Sequence, residues 1–264
     1  RALLALRSER LRRTGLDAIS MLDWLHEKRQ TSRAIERFWH PVLVSAINED
    51  LGRMAAAHGF QVFWLGFMAS KTSYQMGIPR IPLSRLYCAS NWSSMPGVKF
   101  RFRSAVTAIR ASGNRITGIE SGGETLTADL YVSALPSDRL AALAPELGIE
   151  WSRFEPSPIT GIHLWFDRPV TALPHGSLLD RTIQWFFNKQ DGRYLQLVVS
   201  ASHSLTRMSK NDIVALALKE LAEFLPGAGQ ATLIDAHVVK EMKATFSAAP
   251  GLEAHRPEIG RAHV

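Results

Sequence analysis

Apolar and polar positions alternate most regularly in the middle of the chain. Val98, Phe100 and Phe102 are separated by Lys99, Arg101 and Arg103, the period-2 pattern of a half-buried strand. Residues 105–109 continue the extended run, and Gly113-Asn114 turns it into residues 115–121. Gly122-Gly123 turns it again into 124–127. Residues 128–136 then form an apolar stretch that ends on small residues and Pro136. The pattern predicts a meander of three short strands followed by a buried one returning to a core sheet.

The first ninety-odd residues read as helical. Leu3, Leu4, Leu6 and Leu11 give residues 1–13 an apolar set, closed by Thr14-Gly15. Ser20-x-x-Asp23 has the form of a capping box, with Asp17 as a rival start, ahead of Met21, Leu22, Trp24 and Leu25. Ser32 opens the next helix, carrying Ile35, Phe38 and Trp39, and Pro41 kinks or restarts it before residues 42–48. A further helix is expected from near Asp50 to about His58. Residues 60–69 are almost wholly apolar, so they are either buried on all sides or lie against an apolar surface. Residues 77–82 read as irregular, and 83–89 as one short helix.

After the meander, Ser137 is placed to cap a helix over 138–144 that Pro145 ends. From Trp151 the pattern shifts to strands. Residues 159–166 alternate in part and stop at Asp167-Arg168-Pro169. Residues 183–188 and 194–201 form a hairpin around Asp191-Gly192. Ser209-x-x-Asp212 opens a helix over 213–225 with Leu216, Leu218, Leu221 and Phe224, which Pro226-Gly227 stops. Residues 232–239 read as a final strand.

At 264 residues the chain is long enough for one or two domains with a sizeable core. Hydrophobic residues at 46% and charged residues at 21% are ordinary for a soluble globular protein, but seven tryptophans call for large apolar walls. The single Cys88 excludes an internal disulfide and fits a reducing, cytoplasmic setting. No apolar run approaches the roughly 18 residues of a spanning helix, and the opening apolar run is too short for a signal peptide. The net charge of +7 leaves three readings. Nucleic acid is disfavoured because the basic residues are scattered without a binding motif. Peripheral contact with an anionic membrane, on its inner face, and a plain solvated basic surface stay open. The chain starts inside a helical pattern, and residues 258–264 match one reading frame of a sequencing-library adapter, so both ends read as cut and the last seven residues are set aside.

Val106-x-x-Ile109, a glycine-bearing turn and Ala128-Asp129-x-x-Val132-x-Ala134-x-Pro136 together resemble the flavoprotein amine oxidase and carotenoid desaturase superfamily. Residues 157–170, Ser157 to Val170, look like a signature of the bacterial squalene-associated FAD-dependent desaturases, the hydroxysqualene dehydroxylases. Residues 184–188, 198–202 and 246–251 are similar to later blocks of that family, as are Asp23-Trp24-Leu25 and Phe38-Trp39-x-Pro41 with Asn48. The resemblance covers nearly all of residues 16–257. It implies a mixed α/β (α+β) fold, an internal fragment of a two-domain FAD-dependent architecture. The substrate domain would combine helices with a mixed sheet, and residues 1–97 would be its helical part. Residues 98–147 would be a partial FAD-binding domain, and 148–257 the substrate-domain sheet and helix. FAD is the implied cofactor. The first meander strand would lie near its adenine and the last would rejoin the dinucleotide-binding sheet, which makes Val106, Ala134, Leu135 and Pro136 the implied cofactor contacts. The chain departs from the family in having no GxGxxG turn after a strand, the loop that cradles the pyrophosphate. The family's closing, flavin-side block is not found either, so the fragment is expected to hold FAD poorly and to be inactive alone.

The implied reaction is delivery of a hydride from reduced FAD to the allylic carbon of hydroxysqualene as hydroxyl leaves, giving squalene. Carotenoid desaturation or amine oxidation keeps the same fold with another substrate, and a lipid-binding protein without flavin is the non-enzymatic alternative. A long isoprenoid needs an apolar, aromatic tunnel, which the tryptophans and residues 60–69 would supply, unless they simply build a core. His163 and Asp167 are four apart, so a strand puts them on one face, where a tuned general acid would fit. The competing reading makes Asp167 the start of a turn and His163 a structural residue. Cys88 has no recognisable histidine partner, and no HExxH or paired-cysteine spacing marks a metal site.

Overall fold

In the computed structural model of the chain, the described residues are 1–79, 81–113, 115–147 and 150–256. Asn114 of the predicted turn and the set-aside residues 258–264 lie outside them. Two compact units result: one of Arg1–Ser73 with Phe154–Ala254, and one of Tyr74–Arg153 with, of the described residues, His255 and Arg256.

The first unit opens with α1 (Ala2–Glu9) and α2 (Met21–Glu27). Ser20 caps α2, its Oγ accepting from the Asp23 N–H at 3.0 Å and donating to the Asp23 carboxylate at 2.6 Å. The next helix begins at Ser32, as expected, and Thr31 caps it by accepting from the Ala34 N–H at 3.2 Å. That helix runs from α3 (Ser32–Ala34) through a π-turn, Ile35–Trp39, into α4 (His40–Ile47). Pro41 stands in the first turn of α4, where a missing N–H is tolerated. The helix expected from Asp50 begins only at α5 (Ala56–Phe63), which continues into a second π-turn, Trp64–Met68. The reason is tertiary: the first N–H groups of α2, on Met21 and Leu22, take the carbonyls of Met54 and Leu51 at 2.9 Å, so those carbonyls cannot serve a local helix.

Trp24, Trp39, Phe60 and Phe63 are buried at the centre of this helical layer. Trp24 meets Phe60 edge-on at 4.8 Å, and the indole N–H groups of Trp24 and Trp39 reach Glu9 and Gln30 at 2.9 and 3.1 Å. The apolar run 60–69 is therefore two-sided: its first half packs inward, while Leu65 and Phe67 face solvent.

The second unit contains α6 (Leu83–Leu86), α7 (Ser90–Ser93), the antiparallel meander β1 (Val106–Ser112), β2 (Arg115–Ser121) and β3 (Glu124–Leu126), and α8 (Ser137–Leu143). Gly122 and Gly123 both have positive φ, 60° and 82°, the two-residue hairpin geometry that joins β2 to β3. Two expected strands do not form. Val98, Phe100 and Phe102 lie in irregular chain, because Arg103 at φ 54° breaks the extension and no strand pairs with them; the Phe100 and Phe102 rings stack on each other at 5.9 Å instead. Residues 128–136 are likewise unpaired, with Leu130 86% and Val132 94% exposed. Ser137 is the first residue of α8 rather than its cap, since Pro136 precedes it and no side chain caps the helix.

The first unit resumes with β4 (Pro156–Phe166), β5 (His175–Ser177), β6 (Trp185–Gln190) and β7 (Tyr194–Ser200), then α9 (Lys210–Phe224), α10 (Pro226–Gln230) and β8 (Leu233–Phe246). The sheet order is β5-β6-β7-β4-β8, with every pair antiparallel. Helices and sheets are thus mixed along the chain, while no parallel pair occurs among the described residues. Asp191 and Gly192, at φ 43° and 80°, make the predicted β6–β7 turn. Ser209 caps α9 through the Asp212 N–H at 3.1 Å. Pro226-Gly227 redirects the chain into α10 rather than ending helix. β8 extends seven residues past its expected end at Val239, to Phe246, because β4 offers a partner along its whole length.

Asn48 joins the helical layer to this sheet. It ends α4 in the left-handed region at φ 61° and is 3% exposed. Its amide donates to the Ser157 carbonyl at 3.0 Å and to Thr245 Oγ1 at 2.8 Å, while its Oδ1 accepts from the Ala201 N–H at 2.6 Å. Asn48→Ala is expected to lower unfolding free energy by about 3 kcal/mol in urea titrations, from lost buried bonds plus left-handed strain. Asn48→Gly relieves only the strain, so it is expected to recover about 1 kcal/mol; a glycine variant as stable as the parent would show that the amide contributes nothing.

Candidate functional site

Side chains alternate across a strand, so the large sheet has two unlike faces. Ile162 and Leu164 of β4, with Leu195 and Leu197 of β7, pack against Ile213, Ala217 and Leu221 of α9 in a buried core. The opposite face carries His163 and Trp165 of β4, Tyr194 and Gln196 of β7, Trp185 and Phe187 of β6, and His175 of β5, all half-buried, with exposed His237 on β8. Pairing sets His175, Phe187, Gln196, His163 and His237 opposite one another in one row across five strands. In the neighbouring row Gly161 stands between Val198 and Val239, and space above it is open, since an added Cβ would meet only His163 Nε2 at 3.8 Å.

The aromatic groups stack. Trp165 and Tyr194 lie 4.6 Å apart at 8°, His163 sits 5.9 Å from Tyr194, and Trp185 lies 6.1 Å from Phe187 at 15°. Trp185 is held from above by its indole N–H, which donates to Ser45 Oγ of α4 at 2.7 Å. On the β8 side a groove of about 560 Å³ passes His237, Val239, Lys240 and Met208.

One hydrogen-bonded polar pair stands within this surface, beside the Gln196 amide: His163 Nδ1 and Tyr194 Oη are 2.7 Å apart. Burial, then the nearby charges of His237 and Lys189, hold His163 below its ordinary value of 6.5. Burial raises Tyr194. Both groups are therefore neutral near pH 7, and the pair can donate or accept one hydrogen bond without placing a charge among the rings.

Asp167 is occupied elsewhere. It accepts from Arg168 Nη2 at 2.7 Å and the Thr232 N–H at 2.8 Å, and these bonds, Arg168 first, lower its pKa to about 2. Ionised through the neutral range, it has no proton to give, and no hydrogen bond joins it to His163. Val106 opens β1 half-buried, whereas Ala134, Leu135 and Pro136 are exposed ahead of α8. A flavin dinucleotide takes its pyrophosphate at a glycine-rich turn between a parallel strand and a helix. The described residues contain no such glycine-rich turn and no parallel strand pair, so by themselves they do not form a flavin site. Glu49, Asp50 and His203 bring ligand-type atoms within 4.8 Å of one another, but Glu49 Oε1 already meets the Asp50 N–H at 2.9 Å and Arg53 Nε at 3.3 Å.

His163 is legible in the sequence as a candidate, whereas Tyr194, Trp165, Trp185, Phe187, His175 and His237 are not legible there as its companions. The signal was partly present, because residues 159–166 alternate, but the register joining five strands is a tertiary property.

The sequence profile of the family described as flavin containing amine oxidoreductase matches residues 1–258. The chain is 23% identical over 288 residues to the probable zeta-carotene desaturase of Synechococcus elongatus, covering 92% of this chain and 60% of that protein. It is 31% identical over 165 residues to the 15-cis-phytoene desaturase of the same organism, covering 54% and 35%. Among solved structures, an oxidoreductase from Methanosarcina mazei shares the fold at a TM-score of 0.69 and 15% identity, over 98% of this chain and 64% of that one. The chain thus spans from 35% to 60% of the length of these two curated relatives.

Imidazole titration by NMR checks the electrostatics of the face. His163 is expected to titrate below 6.5, and His237→Gln to raise its midpoint without reaching 6.5, because burial is the larger cause. The unfolded chain takes this proton first, so the group removes stability as pH falls below about 6.5 and towards the folded-state midpoint.

Proposed function

The chain belongs to the flavin containing amine oxidoreductase family, whose cofactor is FAD, and from that premise we propose that it supplies the substrate-holding surface of an oxidoreductase acting on a long isoprenoid. One observation carries this reading: the row of stacked aromatics on the open sheet face, with a single neutral His163–Tyr194 pair inside it. A long hydrocarbon is recognised by removing its surface from water, and flat rings offer large apolar area with little rotamer entropy to lose. The chain's own contribution is to bind, orient and exclude water; the redox chemistry belongs to the flavin.

For the finer assignment we take hydroxysqualene, with squalene as product. The block at residues 157–170, which builds β4, supports it, and so does the match between one neutral polar pair and one substrate hydroxyl. Tyr194 would then hold that hydroxyl, with His163 as its hydrogen-bond partner. Carotenoid desaturation is the second reading, favoured by the relatives named for zeta-carotene and phytoene. Residues 98–147 would belong to the cofactor domain, where Val106, Ala134, Leu135 and Pro136 would contact FAD and residues 128–136 would gain the strand partner they lack here. No described helix is long and apolar enough to cross a membrane. Exposed Leu4 and Leu11, set among Arg7, Arg12 and Arg13, support peripheral contact with an anionic bilayer.

The test uses the full-length protein loaded with FAD. Incubation with hydroxysqualene and a reductant is expected to yield squalene by chromatography. Conversion of phytoene or zeta-carotene, with hydroxysqualene untouched, would replace this assignment with the second reading. In the same assay Tyr194→Phe is expected to lower kcat/KM about tenfold, the worth of one hydrogen bond of about 1.4 kcal/mol. Trp165→Ala is expected to act mainly on KM.

A further inference from the structure

On the helical layer, a cavity of about 320 Å³ is lined by Arg10, Leu16, Phe60, Gln61, Trp64 and Leu65. That volume is at the lower end for small-molecule sites. None of these residues belongs to the large sheet, so the cavity is separate from the aromatic face. Its floor is Phe60 and Leu16, both buried, and its rim is Gln61 and Leu65, both exposed.

Arg10 gives the cavity its chemistry. Its guanidinium carbon lies 4.1 Å from the centroid of the Trp64 ring. Its Nε is buried and has no hydrogen-bond acceptor. The carboxylates bonded between α1 and α2 are committed to other cations: Glu9 receives Arg13 at 3.0 Å, the Trp24 indole at 2.9 Å and Lys28, while Glu27 pairs with Arg13 at 2.8 Å and with Lys28. Asp17, next to Leu16, keeps a buried Oδ1 without a partner and forms no ion pair with Arg10. Among the described residues no carboxylate pairs with Arg10. The chain therefore holds a flat cation, fixed by stacking, whose inner donor is desolvated and unmatched, beside an apolar floor. A planar guanidinium matches a carboxylate or phosphate through two parallel bonds. Trp64 begins a π-turn, a local widening often found where helices carry function.

We propose that this cavity binds a single-chain anionic amphiphile, its carboxylate or phosphate head on Arg10 and its hydrocarbon chain over Phe60, Leu16 and Leu65. The site stands apart from the isoprenoid surface and does not depend on that assignment.

The probe is dodecyl phosphate below its micelle concentration, titrated calorimetrically into this chain. Saturable binding at one site is expected, weakened at least tenfold by Arg10→Gln and less by Arg10→Lys, which keeps the charge but not the fork. Leu65→Glu, at an exposed position, is expected to abolish binding by supplying Arg10 with an internal carboxylate. Matching urea midpoints for the variants and the parent establish that they fold alike. Dodecanol at the same concentration is expected not to bind. Equal affinity in Arg10→Gln, or equal binding of dodecanol, would overturn the proposal. So would binding confined to vesicles of phosphatidylglycerol and phosphatidylcholine with no monomer binding, which would make Arg10 a contact for a bilayer surface instead.

Discussion

A buried backbone must find hydrogen-bond partners, and at the junction of helices and sheet that requirement falls on Asn48. The end of α4 leaves free carbonyls, and the ends of β4, β7 and β8 leave unpaired groups where the ladder stops. One left-handed residue with an amide side chain satisfies groups on β4 and β8 and the Ala201 N–H just past β7, and its own carbonyl accepts from the buried Ser157 hydroxyl. Few residue types can do this, since the left-handed region favours Gly, Asn and Asp, and only Asn among them both donates and accepts. The neighbouring bond from Ala55 N–H to Ala248 carbonyl, at 2.7 Å, closes the same seam.

This seam also determines what the aromatic face becomes. α4 approaches one end of the sheet, where Ser45 takes the Trp185 indole, and leaves the rest of that face half-buried. The opposite face is filled by α9, which Ser209 starts and whose Ala217 lets it approach the strands. A sheet covered on one side and partly roofed on the other is suited to present ring systems without losing them into a core. Trp165 and His163 of β4 stack on Tyr194 of β7 at cross-strand spacing, which is how a pleated surface gains stability from its own side chains.

The local signals proved legible in the sequence. The boxes at Ser20 and Ser209, the Asp191-Gly192 turn and the alternation in β4 depend on neighbours within a few residues, and each appears where the pattern puts it. What failed depended on distant partners. Residues 98–102 alternate and residues 128–136 form an apolar run, both strand-like, yet a strand exists only where another backbone accepts its hydrogen bonds. Conversely, His175-Gly176-Ser177 carries no pattern and becomes β5 because Phe186 and its neighbours offer an edge. The helix expected at Asp50 was lost to the carbonyl demand of α2. Of the candidate site, His163 was visible as a residue type in a strand, but the face around it was not, because register is written in pairings rather than in composition.

The placement of His163 also bears on which chemistry the face can serve. A histidinium among stacked rings would be stabilised by their negative faces, yet burial and the charges of His237 and Lys189 act against it. Asp167, the carboxylate expected to share that face, is turned to Arg168 and the Thr232 backbone instead. The face is thus neutral at its centre, with its cations towards the edges. Such a surface cannot pull strongly on a charged substrate, and it costs little to desolvate when an apolar one arrives. The same neutrality makes the Tyr194 hydroxyl its most distinctive polar feature, which is why a single polar group on an otherwise hydrocarbon chain is the kind of feature it can discriminate.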